Sequence, residues 1–253
     1  SDAIQTQKMN SILQRIKLAA SNVQQVDDEG YEEIEPKEKG YITNQMRDLY
    51  IQQQQEQQEK EQSENNQTTK SKANDKPTIY PFWKLHKLLS DQDIEDIIRD
   101  FYIRVWNDND EPWFRDSFVR VTNLESAIWA QTMMWIDSFG GGRAYHGGQM
   151  RLNFHHSRVY HVMTAKGGRR WMFHMRNTLD TNKIVLKDKR IRPSIDSFIY
   201  TAMKKYACEF RFNTDNAMLD HEPEGGDTDE PPRNRNPFLG GADTSTSSCD
   251  DQE

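Results

Sequence analysis

Two polar residues interrupt otherwise apolar helical faces in the middle of the chain. Gln131 falls within the stripe Leu124, Ala127, Ile128, Met134 and Trp135, one turn after Ala127. A buried amide must be hydrogen-bonded or it costs about 1–3 kcal/mol. Tyr102 stands beside Phe101 on a preceding helix whose Ile94, Ile97, Ile98, Phe101 and Val105 line one face. Each could make an ordinary internal hydrogen bond. Together, on neighbouring helices, they could instead supply donors to a ligand in an apolar cavity. Histidines are the third irregularity: His146, His155, His156, His161 and His174 crowd one window, with His86 and His221 apart. Their spacings match neither a His-Glu-x-x-His helix nor a Cys/His zinc site, so a structural zinc is not expected.

The elements that must position these residues are helices. Residues 77–213 hold all the tryptophan and show helical periodicity without hairpin signals. Ser90-Asp91-Gln92-Asp93 predicts a capped helix start. Thr122-Asn123-Leu124-Glu125 fits a capping box ahead of the stripe holding Gln131, which stops at Gly140-Gly141-Gly142. Thr164 can cap a further helix with Trp171, Met172, Met175 and Leu179. A last helix follows Pro193 with Ile195, Phe198, Ile199, Met203 and Ala207. The fold class expected is all-α.

Outside this core the composition changes. Only 34% of the 253 residues are hydrophobic, low for one compact domain of that length. Residues 1–76 read as a helical and low-complexity extension. Ile4, Met9, Ile12, Leu13, Ile16, Ala20 and Val23 form one stripe, which could pack on its own domain or dock in a partner's groove. A second helical segment starts near Thr43 and gives way to a glutamine-rich linker from Gln52. Residues 214–253 read as an acidic flexible tail. The net charge of -7 argues against nucleic-acid binding, and no apolar run nears the roughly 18 residues of a membrane span. Two cysteines make no disulfide framework and fit an intracellular setting.

A resemblance to a known family appears when these signals are taken in order. Phe101-Tyr102, then Phe139-Gly140-Gly141-Gly142-Arg143-Ala144-Tyr145, Leu152-Asn153-Phe154-His155-His156 and Trp171-Met172-Phe173-His174-Met175 resemble the truncated haemoglobins. The tryptophan segment resembles that family's second group most, and Ile199-Tyr200-Thr201-Ala202 with Phe212-Asn213 resembles its final helix. The likeness spans about residues 78–213. It implies a truncated 2-over-2 globin domain that binds haem b, its iron held by a proximal histidine.

Carried over position by position, the resemblance assigns that ligand to His156, with His155 as the alternative. Leu152 and His156 share a helical face, which favours His156. Tyr102 takes the place of the distal tyrosine, Gln131 that of a second distal donor, and Trp171 that of the indole facing the pocket. Phe118 is the aromatic set against the porphyrin, with Phe114 as the other candidate. Arg143 or Arg158 could pair with a haem propionate. Two departures stand out: Gly142 replaces a proline, and the stretch between His156 and Thr164 is about two residues longer than in the family. The longer stretch lets His161 approach the haem edge.

Two functions follow from the resemblance and the extensions. One is a haem globin that binds oxygen or another diatomic gas, with nitric-oxide-dioxygenase-like turnover as the possible enzyme activity. The other is a haem-free globin scaffold. The long polar extensions suggest protein partners. They fit a peripheral accessory subunit of a larger assembly such as a mitochondrial respiratory complex, with a cytosolic or ciliary assembly as the alternative. No nucleophile elbow, P-loop or carboxylate pair points to a conventional hydrolase or transferase.

Overall fold

A computed structural model describes residues 40–65 and 79–221. The stripe over residues 4–23, the linker beyond 65 and the tail beyond 221 lie outside the described residues. Within them all regular structure is helical, as expected. The α-helices are α1 (Thr43–Asn65), α2 (Asp91–Trp106), α3 (Pro112–Val119), α4 (Leu124–Ser138), α5 (Gly148–Arg158), α6 (Ala165–Thr181), α7 (Ile191–Phe210) and α8 (Thr214–Met218). Short 3-10 turns at Phe82–Lys87, Tyr160–Val162 and Val185–Lys187 join some of them. None of these helices is long and apolar enough to cross a membrane.

Local chemistry sets the helix starts. Ser90 Oγ accepts the Asp93 N–H at 3.1 Å while the Asp93 carboxylate accepts the Ser90 N–H at 3.0 Å, closing the box that starts α2. Thr164 Oγ1 accepts the Gly167 N–H at 3.1 Å and starts α6. The box expected at Thr122 shifts by one residue. Asn123 caps α4, its Oδ1 accepting the Ser126 N–H at 2.9 Å. Glu125 reaches instead to Arg99 on α2, 2.8 Å away, a stronger charge-assisted partner than a backbone N–H.

Helix α2 packs on α4 and on α6, α6 packs on α8, and α1 lies on α7 and α4. Phe101, Phe114, Trp135, Phe139 and Phe198 form the aromatic centre of the core. Two glycines are required where backbone meets backbone. Gly140 has φ +86°, and a Cβ there would lie 2.2 Å from the Trp83 carbonyl oxygen. A Cβ on Gly167 would lie 1.8 Å from the Val162 carbonyl oxygen, so only glycine lets the chain fold back tightly into α6.

Both expected domain boundaries are crossed. Residues 41–53 fall in the stretch read as an extension, yet Ile42 and Met46 are buried and Gln53 Nε2 donates to the Thr201 carbonyl of α7. The fastening is Asp137 on α4, fully buried. It accepts the N–H groups of Tyr41 and Ile42 at 2.9 Å and of Thr43 at 3.2 Å. With its first turns held, α1 runs on through the glutamines, whose unbranched side chains suit a helix. At the other end, residues 214–220 were expected in the tail. Asn213 caps α8, Ala217 is buried against Gly168, and Arg176 binds the Met218 carbonyl and the Asp220 carboxylate.

Candidate functional site

Helices α1 to α7 surround a cavity of about 450 Å³. Its wall is largely apolar, built from residues such as Ile42, Met46, Phe114, Leu152, Ile199 and Phe212. Tyr102, Phe118, Gln131, His155, His156 and Trp171 all border it. Residues from five helices, separated by up to 69 positions, are thus brought to one space.

Tyr102 and Gln131 face each other across the α2–α4 contact. The phenol donates to Gln131 Oε1 at 3.5 Å, long for an O–H donor, so both groups retain capacity for a third partner. Burial, with a smaller effect of Tyr145, pushes the Tyr102 hydroxyl well above its ordinary value and keeps its proton in place. Phe118 packs edge-on to Tyr102 at 6.3 Å and against Phe114 at 5.1 Å, so both aromatic candidates belong to one cluster. The Trp171 ring lies 5.1 Å from that of Phe101.

The adjacent histidines of α5 differ in their surroundings. His155 Nδ1 lies 3.2 Å from the Tyr145 hydroxyl. His156 borders the cavity, with its Nδ1 sealed from solvent and without a side-chain hydrogen-bond partner. Burial pushes the His156 imidazole down to about 3, helped by the charge of Lys205 and by His155. The Leu152 carbonyl, one turn earlier, opposes this weakly. The ring is neutral at physiological pH and borders the cavity.

Other polar residues of the histidine window go elsewhere. His161 was expected to approach the haem edge. Instead its Nε2 lies 2.9 Å from Ser117 Oγ, because the Tyr160–Val162 turn takes up the extra length and points Val162 and Met163 inward. His174 pairs with the buried Asp108 at 2.7 Å. Arg158 borders the cavity, whereas Arg143 stacks over Tyr41 outside it.

Sequence reasoning passed over three contributors. Tyr206 on α7 borders the cavity with its ring 4.2 Å from His156. It lies one turn beyond Met203 on the stripe of α7, and that spacing was its signal. Arg151 borders the cavity and stacks on Trp129 and Tyr145. Ile42 carried no signal, since it sits in a polar stretch whose docking depends on the distant Asp137.

A neutral histidine, a phenol and an amide on one apolar cavity are the parts of a ligand-binding helical fold, and the comparison with family models decides which. Residues 86–205 match the model of the bacterial-like globins. The chain carries a bacterial-like globin domain. The match begins in the 3-10 turn before α2 and ends within α7, so it takes in Tyr102, Phe118, Gln131, both adjacent histidines and Trp171. Helices α1 and α8, which pack on the globin helices, lie outside it. No curated protein matches the chain.

Proposed function

We propose that the globin domain binds haem b through His156 and offers Tyr102, Gln131 and Trp171 to a diatomic ligand. The observation that carries this reading is His156 itself: a neutral imidazole on an apolar cavity, its Nδ1 sealed from solvent. A neutral imidazole keeps a lone pair on one ring nitrogen, as an iron ligand needs. The chemistry that haem would supply there is an iron able to take up oxygen or another diatomic gas. Tyr102 and Trp171 bring neutral O–H and N–H donors to the cavity, and the Gln131 amide adds its own. In a low-dielectric space such donors hold an oxygen atom strongly. Phe118 and Phe114 give an apolar wall, and Arg151 and Arg158 can meet a carboxylate at its edge. The place of Trp171 on the cavity also supports the family's second group.

A visible spectrum of the purified full chain after haem reconstitution tests the reading. A Soret band is expected. No band would overturn it and leave the haem-free scaffold.

The finer part of the proposal is a place in a larger assembly, as a peripheral accessory subunit. A mitochondrial respiratory complex is the first candidate and a cytosolic or ciliary assembly the alternative. Residues 138–179 contain no Asp or Glu but carry Arg143, Arg151, Arg158, Lys166, Arg169, Arg170 and Arg176, in a chain of net charge -7. Met150 and Phe154 stand exposed on α5 among the first three of these arginines. Methionine, aromatics and arginine are the types enriched at protein interfaces. Native electrophoresis of the tagged full chain from its source cells should place it in a large complex, and Phe154→Glu should reduce that fraction. Migration as a lone subunit would end this part of the reading.

A further inference from the structure

The cavity carries charge of one sign. Among the described residues that border it none is Asp, Glu or Lys, and its formal charges are those of Arg151 and Arg158 on α5. Neither pairs with a carboxylate among the described residues, whereas Arg99, Arg104 and Arg192 on other helices do. Aromatic rings hold them instead. The Arg151 guanidinium lies 4.8 Å from the centre of the Trp129 ring and 5.0 Å from that of Tyr145, and both rings border the cavity. Arg158 stands over the Phe154 ring at 5.8 Å.

A guanidinium stacked on aromatic faces keeps its N–H edge for a partner. That of Arg151 gives one N–H to the His146 carbonyl in a long bond of 3.3 Å. Its other donors match a carboxylate as a planar fork. Beyond this rim the wall is apolar and yielding. Met46, Met134, Met163 and Met203 reach it from four separate segments of the chain. The unbranched methionine side chain adapts to irregular shapes, so these four suit a flexible apolar body. The cavity volume, about 450 Å³, lies in the range of small-molecule sites.

We propose that the cavity takes a long-chain fatty acid, its carboxylate on Arg151 and its acyl chain along the methionine-lined wall. The ligand class follows from the two halves of the site. A small anion would meet the guanidinium and leave the apolar wall uncovered. A neutral lipid would cover the wall and leave the guanidinium without a counter-charge. A fatty acid supplies both parts in one molecule. This binding does not depend on the haem reading, but the two ligands need the same space and exclude each other.

The test is the fluorescence of cis-parinarate titrated into the full chain stripped of lipid, followed by displacement with competitors. Saturable binding and displacement by palmitate are expected. Laurate, four methylenes shorter, should compete on the order of a hundredfold more weakly. Hexadecanol, which keeps the chain length and lacks the charge, should compete about tenfold more weakly than palmitate. Arg151→Met should weaken palmitate by about the same factor, and Arg151→Lys by less. Arg143→Met, whose guanidinium lies outside the cavity, should change nothing. No saturable binding, equal competition by palmitate and hexadecanol, or equal losses in Arg151→Met and Arg143→Met would overturn the proposal. If Arg151→Met fails to fold, the comparison of palmitate with hexadecanol in the parent decides. Simultaneous retention of cis-parinarate and a full Soret band would also overturn it. Displaceable binding in a chain that gives no Soret band would support the fatty-acid site and end the haem reading alone.

Discussion

The Tyr145 hydroxyl and His155 Nδ1 lie 3.2 Å apart, and Tyr145 is itself fixed by its N–H donating to Asp137 at 3.2 Å. Of two consecutive histidines on α5, one thus has a side-chain partner for its Nδ1, and the other borders the cavity with its Nδ1 sealed from solvent. His156→Ala should abolish the Soret band of the reconstituted protein, whereas His155→Ala and Tyr145→Phe should retain it. Loss in His155→Ala with retention in His156→Ala would transfer the ligand role to His155.

Tyr102 and Gln131 should control how long a ligand stays. A hydrogen bond of about 1.4 kcal/mol corresponds to tenfold in a dissociation rate. Tyr102→Phe and Gln131→Leu should each speed oxygen release by about that factor in stopped-flow measurements. The double variant should show less than the product, since the two side chains also bond each other. Rates unchanged in both single variants would remove these residues from ligand control.

The parts of the site with local signals were legible, and those depending on distant contacts were not. Tyr102 and Gln131 betrayed themselves as polar breaks in apolar stripes, and both border the cavity. The glycines before α5 marked the end of α4, since Gly140 takes a backbone no other residue favours there. The limits of the folded unit escaped because they rest on tertiary bonds. Nothing near Ile42 in sequence reveals that the carboxylate of Asp137, some ninety residues on, accepts three successive N–H groups. His161 escaped for a similar reason, as its partner Ser117 lies on α3.

Acid should attack the fold through Asp108 and His174. Burial pushes the Asp108 carboxyl up, but Arg170, His174 and the Glu111 N–H together hold it down at about 2. His174 is lowered, chiefly by burial, so it stays neutral and its Nε2–H donates to the carboxylate. Below pH 6.5 an unfolded His174 takes up a proton that the folded one refuses, so stability falls with pH. Below about 3.8 an unfolded Asp108 does the same, and its contribution is lost as pH drops toward 2. Asp108→Asn should cost about 3–5 kcal/mol at neutral pH by leaving Arg170 uncompensated. It should also flatten the stability curve between pH 4 and 2. Urea titrations at stepped pH would show both; an unchanged slope in that window would exclude Asp108.

Removing the carboxylate of Asp137 should release α1 from the globin helices. Asp137→Ala leaves the N–H groups of Tyr41, Ile42, Thr43 and Tyr145 without their acceptor in a buried site. At about 1–3 kcal/mol for each buried orphan, with some regained by water, a loss of about 3–5 kcal/mol is expected. Asp137→Asn retains one acceptor oxygen and should lose less. Because Ile42 and Met46 border the cavity, the wall they form should open with the strap. Limited proteolysis should then cut within residues 40–46 in Asp137→Ala but not in the parent, while residues 86–205 survive as a helical fragment. Equal cleavage of both proteins would show that α1 is held by its apolar contacts with α7 and not by Asp137.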